Sequence, residues 1–148
     1  ALGGLQEQMM KSQTPMSIIF VLGPNQWYLT DKEVESTIVA EIHCYKLEPF
    51  VFNHVLSELT IAVDPDFQGK GLGKLIFQSL LQIIEKDRND ILRVELIARE
   101  SNQKAIQFYQ KLGFVIEGRF EKRISASTNS FEADIPMAWF NKNFNSSI

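Results

Sequence analysis

Cysteine is almost absent: the 148 residues contain one, Cys44. An internal disulfide is excluded. A lone thiol alternating with apolar neighbours reads as a buried, inert side chain, and it fits a reducing compartment. No apolar run reaches the roughly 18 residues that a membrane-spanning helix needs, so no membrane partner is expected. No basic segment precedes an apolar one at the start, so no leader is expected. The first residue is Ala1 rather than methionine, and the N-terminus reads as processed or trimmed. Charge of one sign is lacking too. The formal net charge is −3, without the basic stripe that grips a nucleic-acid backbone. His43 and His54 have no partners at metal-binding spacing, so both read as structural and no metal is expected. Together these absences point to a cytoplasmic location.

What remains is an ordinary globular composition. Hydrophobic residues make up 45%, a common fraction. A chain of this length buries roughly 68–70% of its unfolded surface and needs no staples. One domain over residues 1–148 is expected. Leu5, Met9 and Met10 among polar residues predict a short helix over 3–12, stopped at Thr14-Pro15. Residues 17–22 are a short apolar run, strand or helix. Strands are predicted over 26–30, 37–47 and 54–63. The clearest helix runs from Leu72 to Asp87. Leu72, Leu75, Ile76, Leu80, Ile83 and Ile84 form its apolar stripe, opposite Lys74, Gln78, Gln82 and Glu85. A strand over 92–98 follows. Then comes a helix capped by Ser101 or Asn102 and ended at Gly113. Residues 114–124 and 131–140 read as strands joined by SASTNS, with Pro136 implying a bulge or an edge. This order gives a mixed α/β sheet.

Glycine is scarce, at eight residues, yet Gly69, Gly71 and Gly73 alternate where a predicted strand turns into the clearest helix. Glycine lets backbone N–H groups crowd around a ligand without Cβ interference. The helix start adds unpaired donors and the positive end of a dipole. Together they describe a phosphate cradle. It is not a Walker loop, because Lys74 is followed by Leu75. Nor is it the dinucleotide fingerprint, whose third glycine stands one residue later. The plain alternative is an ordinary strand-to-helix connection, which rarely needs three glycines.

The stretch Gln68-Gly69-Lys70-Gly71-Leu72-Gly73 resembles the Gln/Arg-x-x-Gly-x-Gly/Ala pyrophosphate loop of the GCN5-related N-acetyltransferases (GNAT family), which bind acetyl-coenzyme A. Asn102, Ala105, Phe108-Tyr109 and Leu112-Gly113-Phe114 match the same family's second signature. Residues 54–124 carry the likeness strongly and 131–140 more weakly. The resemblance implies a mixed, mostly antiparallel central sheet with flanking helices, in the GNAT-like acyl-CoA N-acyltransferase fold. The family's first strand is expected to be missing, or residues 17–22 to do a related job.

The resemblance also implies a chemistry: acetyl transfer from acetyl-CoA to a primary amine by direct attack through a tetrahedral intermediate. Backbone N–H groups of Gly69, Lys70, Gly71, Leu72, Gly73 and Lys74 would hold the pyrophosphate. Pantetheine would lie against the backbone of Ile61, Ala62 and Val63, where one N–H would also polarise the thioester carbonyl. Gln68 and Asn102 would bond the cofactor side, with loop stabilisation and helix capping as their plain alternatives. Tyr109 is the candidate general acid for the departing thiolate; its alternative role is packing beside Phe108 and Leu112. Glu58 is the candidate base, with Glu95 on the neighbouring strand as the reserve and Glu100 following it. Some peptide N-terminal acetyltransferases of the family carry a glutamate five residues before the signature asparagine. Here that residue is Ile97, which argues against a ribosomal-protein acceptor. Many relatives dimerise, so a homodimer is compatible. The acceptor is open between a small-molecule amine and a peptide N-terminus. The rival readings are a non-catalytic acyl-CoA sensor and a nucleotide-binding protein.

Overall fold

The computed structural model describes residues 17–22, 27–29 and 40–146. The helix expected over 3–12 and the first residues of the strand expected over 37–47 lie outside them. The strands are β1 (Ser17–Leu22), β2 (Trp27–Leu29), β3 (Ala40–Lys46), β4 (Val55–Val63), β5 (Arg93–Arg99), β6 (Val115–Ile116), β7 (Phe120–Ser127) and β8 (Ser130–Phe140). Among the described residues the α-helices are α1 (Leu72–Asp87) and α2 (Gln103–Lys111). One sheet runs in the order β2-β1-β3-β4-β5-β8-β6, with β7 also paired to β8. Only β4 and β5 pair in parallel, joined through α1; the other described pairs are antiparallel. Residues 17–22 are therefore a strand, hydrogen-bonded between β2 and β3.

Both helices cover one face of the sheet. Ala40, Ile42 and Cys44 of β3 and Val94, Leu96 and Ala98 of β5 point into that side and join the core with Ile76, Leu80 and Ile84 of α1. Phe77 is its centre, fully buried, with the rings of Phe108 and Phe114 edge-on to it at 6.0 and 5.5 Å. The apolar stripe of α1 departs from the sequence expectation at two points. Phe77 and Leu81 are buried, whereas Leu75 is 46% exposed. The buried face is centred on 77, 80, 81 and 84, one i, i+3, i+4, i+7 row, and Leu75 falls off its edge in the first turn.

The C-terminal strands differ from expectation in a way Pro136 explains. The run 114–124 is not one strand; it breaks between Ile116 and Phe120. Pro136 lies opposite this break and has no N–H to offer a continuous ladder. Its carbonyl instead accepts the Glu117 N–H at 3.0 Å. The hairpin turn is also shorter than SASTNS. Ser127 pairs with Ser130, and Asn129 supplies the left-handed residue, φ +61°, that a tight turn demands.

Candidate active site

β4 parts from β5 almost as soon as the two have met. Their parallel pairing is limited to Val55–Arg93 and Leu56–Val94. The cause lies in the next residues of β4. Against β3 the register jumps from Tyr45–Ser57 to His43–Thr60, which places an extra residue in β4. Glu58 takes it up, with φ +53°. A bulge bends its strand and increases its twist, and this one follows directly on the last β4–β5 pair. The β5-facing edge of Leu59–Val63 is thus left with backbone donors and acceptors that no strand pairs.

That open edge runs into the glycine loop. Asp64 accepts from the Asp66 N–H at 2.8 Å and caps a single 3-10 turn, Pro65–Phe67. Gln68 then donates its side-chain amide to the Val63 carbonyl at 3.1 Å, tying the loop back to the end of β4. Gly69 and Gly71 have φ of +76° and +77°, where other residues are strained. A Cβ at either would meet no atom within 4 Å, so both backbones face open space. Gly73 is different. A Cβ there would sit 3.9 Å from Ile61 and Val63, an ordinary contact. The first helical bond of α1 runs from the Leu75 N–H to the Gly71 carbonyl at 3.0 Å. The N–H groups of Leu72, Gly73 and Lys74 precede it and have no carbonyl one turn back. Lys70 and Lys74 are exposed beside them, with the Lys70 ammonium 5.1 Å from the Phe67 ring. Donors, a helix N-terminus and two cations around an open backbone fit the pyrophosphate of a coenzyme A derivative.

α2 brings the second signature to the same face. The Asn102 Oδ1 accepts from the Ala105 N–H at 3.1 Å, so Asn102 does cap the helix. At the other end the Gly113 N–H bonds the Gln110 carbonyl and the Phe114 N–H bonds the Tyr109 carbonyl, each at 3.0 Å. With Gly113 at φ +102°, this is a Schellman closure. It fixes Tyr109 and folds Phe114 against it, ring centroids 6.0 Å apart. Tyr109 also packs 5.6 Å from Phe77. Burial pushes its phenol above the ordinary value, so it is held protonated at neutral pH.

The three candidate glutamates have different surroundings. Glu58 is exposed on the bulge. Glu95 is engaged at both oxygens, by the Ser57 hydroxyl at 2.7 Å and the Arg93 Nε at 2.8 Å. Arg93 also clamps Glu117, whose carboxyl it holds below the usual range. Glu100 pairs with Arg119 at 2.5 Å and accepts from the Ala133 N–H at 3.2 Å, and Arg119 lowers its carboxyl as well. The sequence reading passed over Ser57 and Arg93. Their only signal was alternation on two strands whose register it did not specify. Cys44 is buried, as expected.

Residues 6–114 match the acetyltransferase (GNAT) family. That is more than half of the chain, and the chain belongs to this family. The [ribosomal protein bS18]-alanine N-acetyltransferase of Escherichia coli is 38% identical over 87 residues, 57% of either chain. Spermidine N(1)-acetyltransferase of Escherichia coli is 36% identical over 72 residues, 45% of this chain and 36% of that one. The match thus spans about half or less of these relatives' length. The crystal structure of the ribosomal-protein-S18-alanine N-acetyltransferase from Escherichia coli superposes with a TM-score of 0.66 at 24% identity, covering 96% of this chain and 80% of that one. The fold is the one the family resemblance implied. A ribosomal-protein enzyme stands among the relatives despite Ile97, an exposed side chain in β5.

Proposed function

We propose that the chain is an acetyl-coenzyme A-dependent N-acetyltransferase acting on a primary amine. The observation that carries the reading is the short β4–β5 pairing, which opens a gap that ends on the glycine cradle. In this reading the N–H groups from Gly69 to Lys74 hold the pyrophosphate, with Gln68 keeping the loop in place. The free backbone of Ile61, Ala62 and Val63 lines pantetheine, and Asn102 borders it from the start of α2. Acetyl-CoA supplies the activated acetyl group as a thioester. A backbone N–H of the open β4 edge stabilises the oxyanion of the tetrahedral intermediate. Tyr109, a phenol protonated at neutral pH, gives its proton to the departing thiolate. Glu58 draws in the ammonium and takes its proton, directly or through water.

The acceptor is proposed to be a peptide N-terminus or a small polyamine, the two classes named in the relatives. A screen that reads free thiol decides it. An N-terminal-alanine peptide, spermidine and free amino acids are offered with acetyl-CoA. Thiol release with one of them is expected. Thermal stabilisation by acetyl-CoA without thiol release from any amine would favour the sensor reading. Stabilisation by ATP or NAD and not by acetyl-CoA would favour a nucleotide-binding protein.

A further inference from the structure

The face of the sheet away from α1 and α2 carries a histidine–carboxylate pair that the proposed chemistry does not yet use. On β3, Glu41, His43 and Tyr45 alternate with the buried Ile42 and Cys44. The His43 Nδ1 lies 2.7 Å from the Glu41 Oε1. An ionised carboxylate only accepts, so Nδ1 is the donor and, in the neutral ring, Nε2 carries the lone pair. The ring is steadied by Tyr45, edge-on at 5.5 Å, and its side chain is 24% exposed. Across the strands His43 pairs with Thr60 and Glu41 with Ala62. The pair therefore stands directly beside the stretch of β4 that faces the gap, two residues from Glu58 along that strand.

The loop, α1 and α2 hold the cofactor from one side. An amine that attacks the thioester directly must therefore come from the other. Glu95 is held by Ser57 and Arg93, and Ile97 has nothing to titrate. A solvated carboxylate is a weak base toward an alkylammonium, whereas an imidazole is intrinsically about a hundredfold stronger. We propose that the Glu41–His43 pair is the proton acceptor of the amine side. The ammonium gives its proton, through Glu58 or a water beside it, to Nε2 of His43. The freed nitrogen lone pair forms the C–N bond, the C–S bond breaks and the thiolate takes the Tyr109 proton, the second proton lost by the acylated nitrogen restores Tyr109, and His43 returns its proton to solvent. The net release is one proton per acetyl transferred. Among the described residues, His43 meets Glu41 and Tyr45 on its own strand and pairs with Thr60 of β4, two residues along from Glu58. On β1 its register partner is Ile19, with Val21 opposite Glu41 and Ser17 opposite Tyr45; none of these three is titratable.

This inference rests on the N-acetyltransferase reading. The test is the pH dependence of kcat/KM for the wild type, His43→Gln, His43→Asn and Glu41→Gln. The acceptor is the N-terminal-alanine peptide or spermidine, whichever releases thiol. Acetyl-CoA affinity is measured on each variant by calorimetry. His43→Gln and His43→Asn are expected to keep that affinity and to lose about 10²–10⁴-fold in rate at neutral pH. Their rate should then climb about tenfold per pH unit toward the acceptor's own pKa, about 7.7–8.0 for the peptide N-terminus and about 10.4 for an alkylammonium, because only free amine reacts. Glu41→Gln leaves the imidazole in place and should lose less rate than the His43 variants. Profiles that overlay the wild type, or a uniform drop at every pH, overturn the proposal and leave the enzyme reading standing. A wild type that binds acetyl-CoA but acetylates neither amine overturns both, as does one that binds no acetyl-CoA.

Discussion

The Ser57 hydroxyl donates to the Glu95 carboxylate at 2.7 Å, and this side-chain bond stands where β4 and β5 stop pairing through their backbones. It pins the apex of the gap. The other Glu95 oxygen takes the Arg93 guanidinium. Glu95 thus has a structural use that Glu58, one bulge away, does not share. Glu58→Gln is expected to lower turnover and to recover in part as the pH rises and supplies free amine. Glu95→Gln is expected to keep near-wild-type turnover and to lower Tm by a few degrees, since one paired charge is lost. The pH–rate profiles of both variants with one acceptor check this. A collapsed Glu95→Gln beside an unchanged Glu58→Gln would transfer the proton to Glu95.

Tyr109→Phe separates acid catalysis from packing. The ring keeps its contacts with Phe77, Phe108 and Phe114, so Tm should hardly move. Turnover should fall about 10²–10⁴-fold with acetyl-CoA affinity kept. Burial raises the phenol pKa, so the protonated donor persists beyond its ordinary value of about 10. Any loss of wild-type rate caused by Tyr109 ionisation must therefore lie above that pH. Single-turnover kinetics with a saturating acceptor give the answer; wild-type rates would reduce Tyr109 to a packing residue.

Gly71 and Gly73 should behave differently on substitution. Gly71→Val and Gly71→Ala place a side chain at φ +77° and into the open space the pyrophosphate would use. Strain there costs of order 1–3 kcal/mol, and acetyl-CoA affinity should fall further than stability does. Gly73→Ala meets only ordinary contacts at 3.9 Å inside the helix, so it should be neutral or slightly stabilising. Titration calorimetry beside thermal melts tests the contrast. Equal affinity in all three variants would remove the loop from the binding site.

Asn141 is a buried polar residue beside the core, 3% exposed. Its amide donates to the carbonyls of Ile84, Arg88 and Ile91 at 3.3, 3.2 and 2.9 Å. It closes the end of α1 and joins it to the chain entering β5. Asn141→Leu leaves those carbonyls without this donor and should cost about 1–3 kcal/mol, read by urea unfolding, while the acetyl-CoA Kd of the folded protein stays put. A loss below about 0.5 kcal/mol would mean that water replaces the amide.

Local signals in the chain were enough for α1, for a cap at Ser101 or Asn102, for the glycine loop and for the family. Each depends on residues within a turn or two of one another: an apolar stripe, a side chain bonding a nearby N–H, glycines at left-handed positions. The same locality explains the errors. Leu75 satisfied the spacing rule and still faces solvent, because the sheet below α1 meets the row through Phe77 and Leu81. Only tertiary structure decided that β4 bulges at Glu58, that it leaves β5 after two residue pairs, and that Ser57 and Arg93 occupy Glu95. It also set His43 beside Thr60. Those are matters of register between strands far apart in the chain. A one-residue slip in register turns every side chain to the opposite face, and no single strand's sequence contains the partner that fixes it.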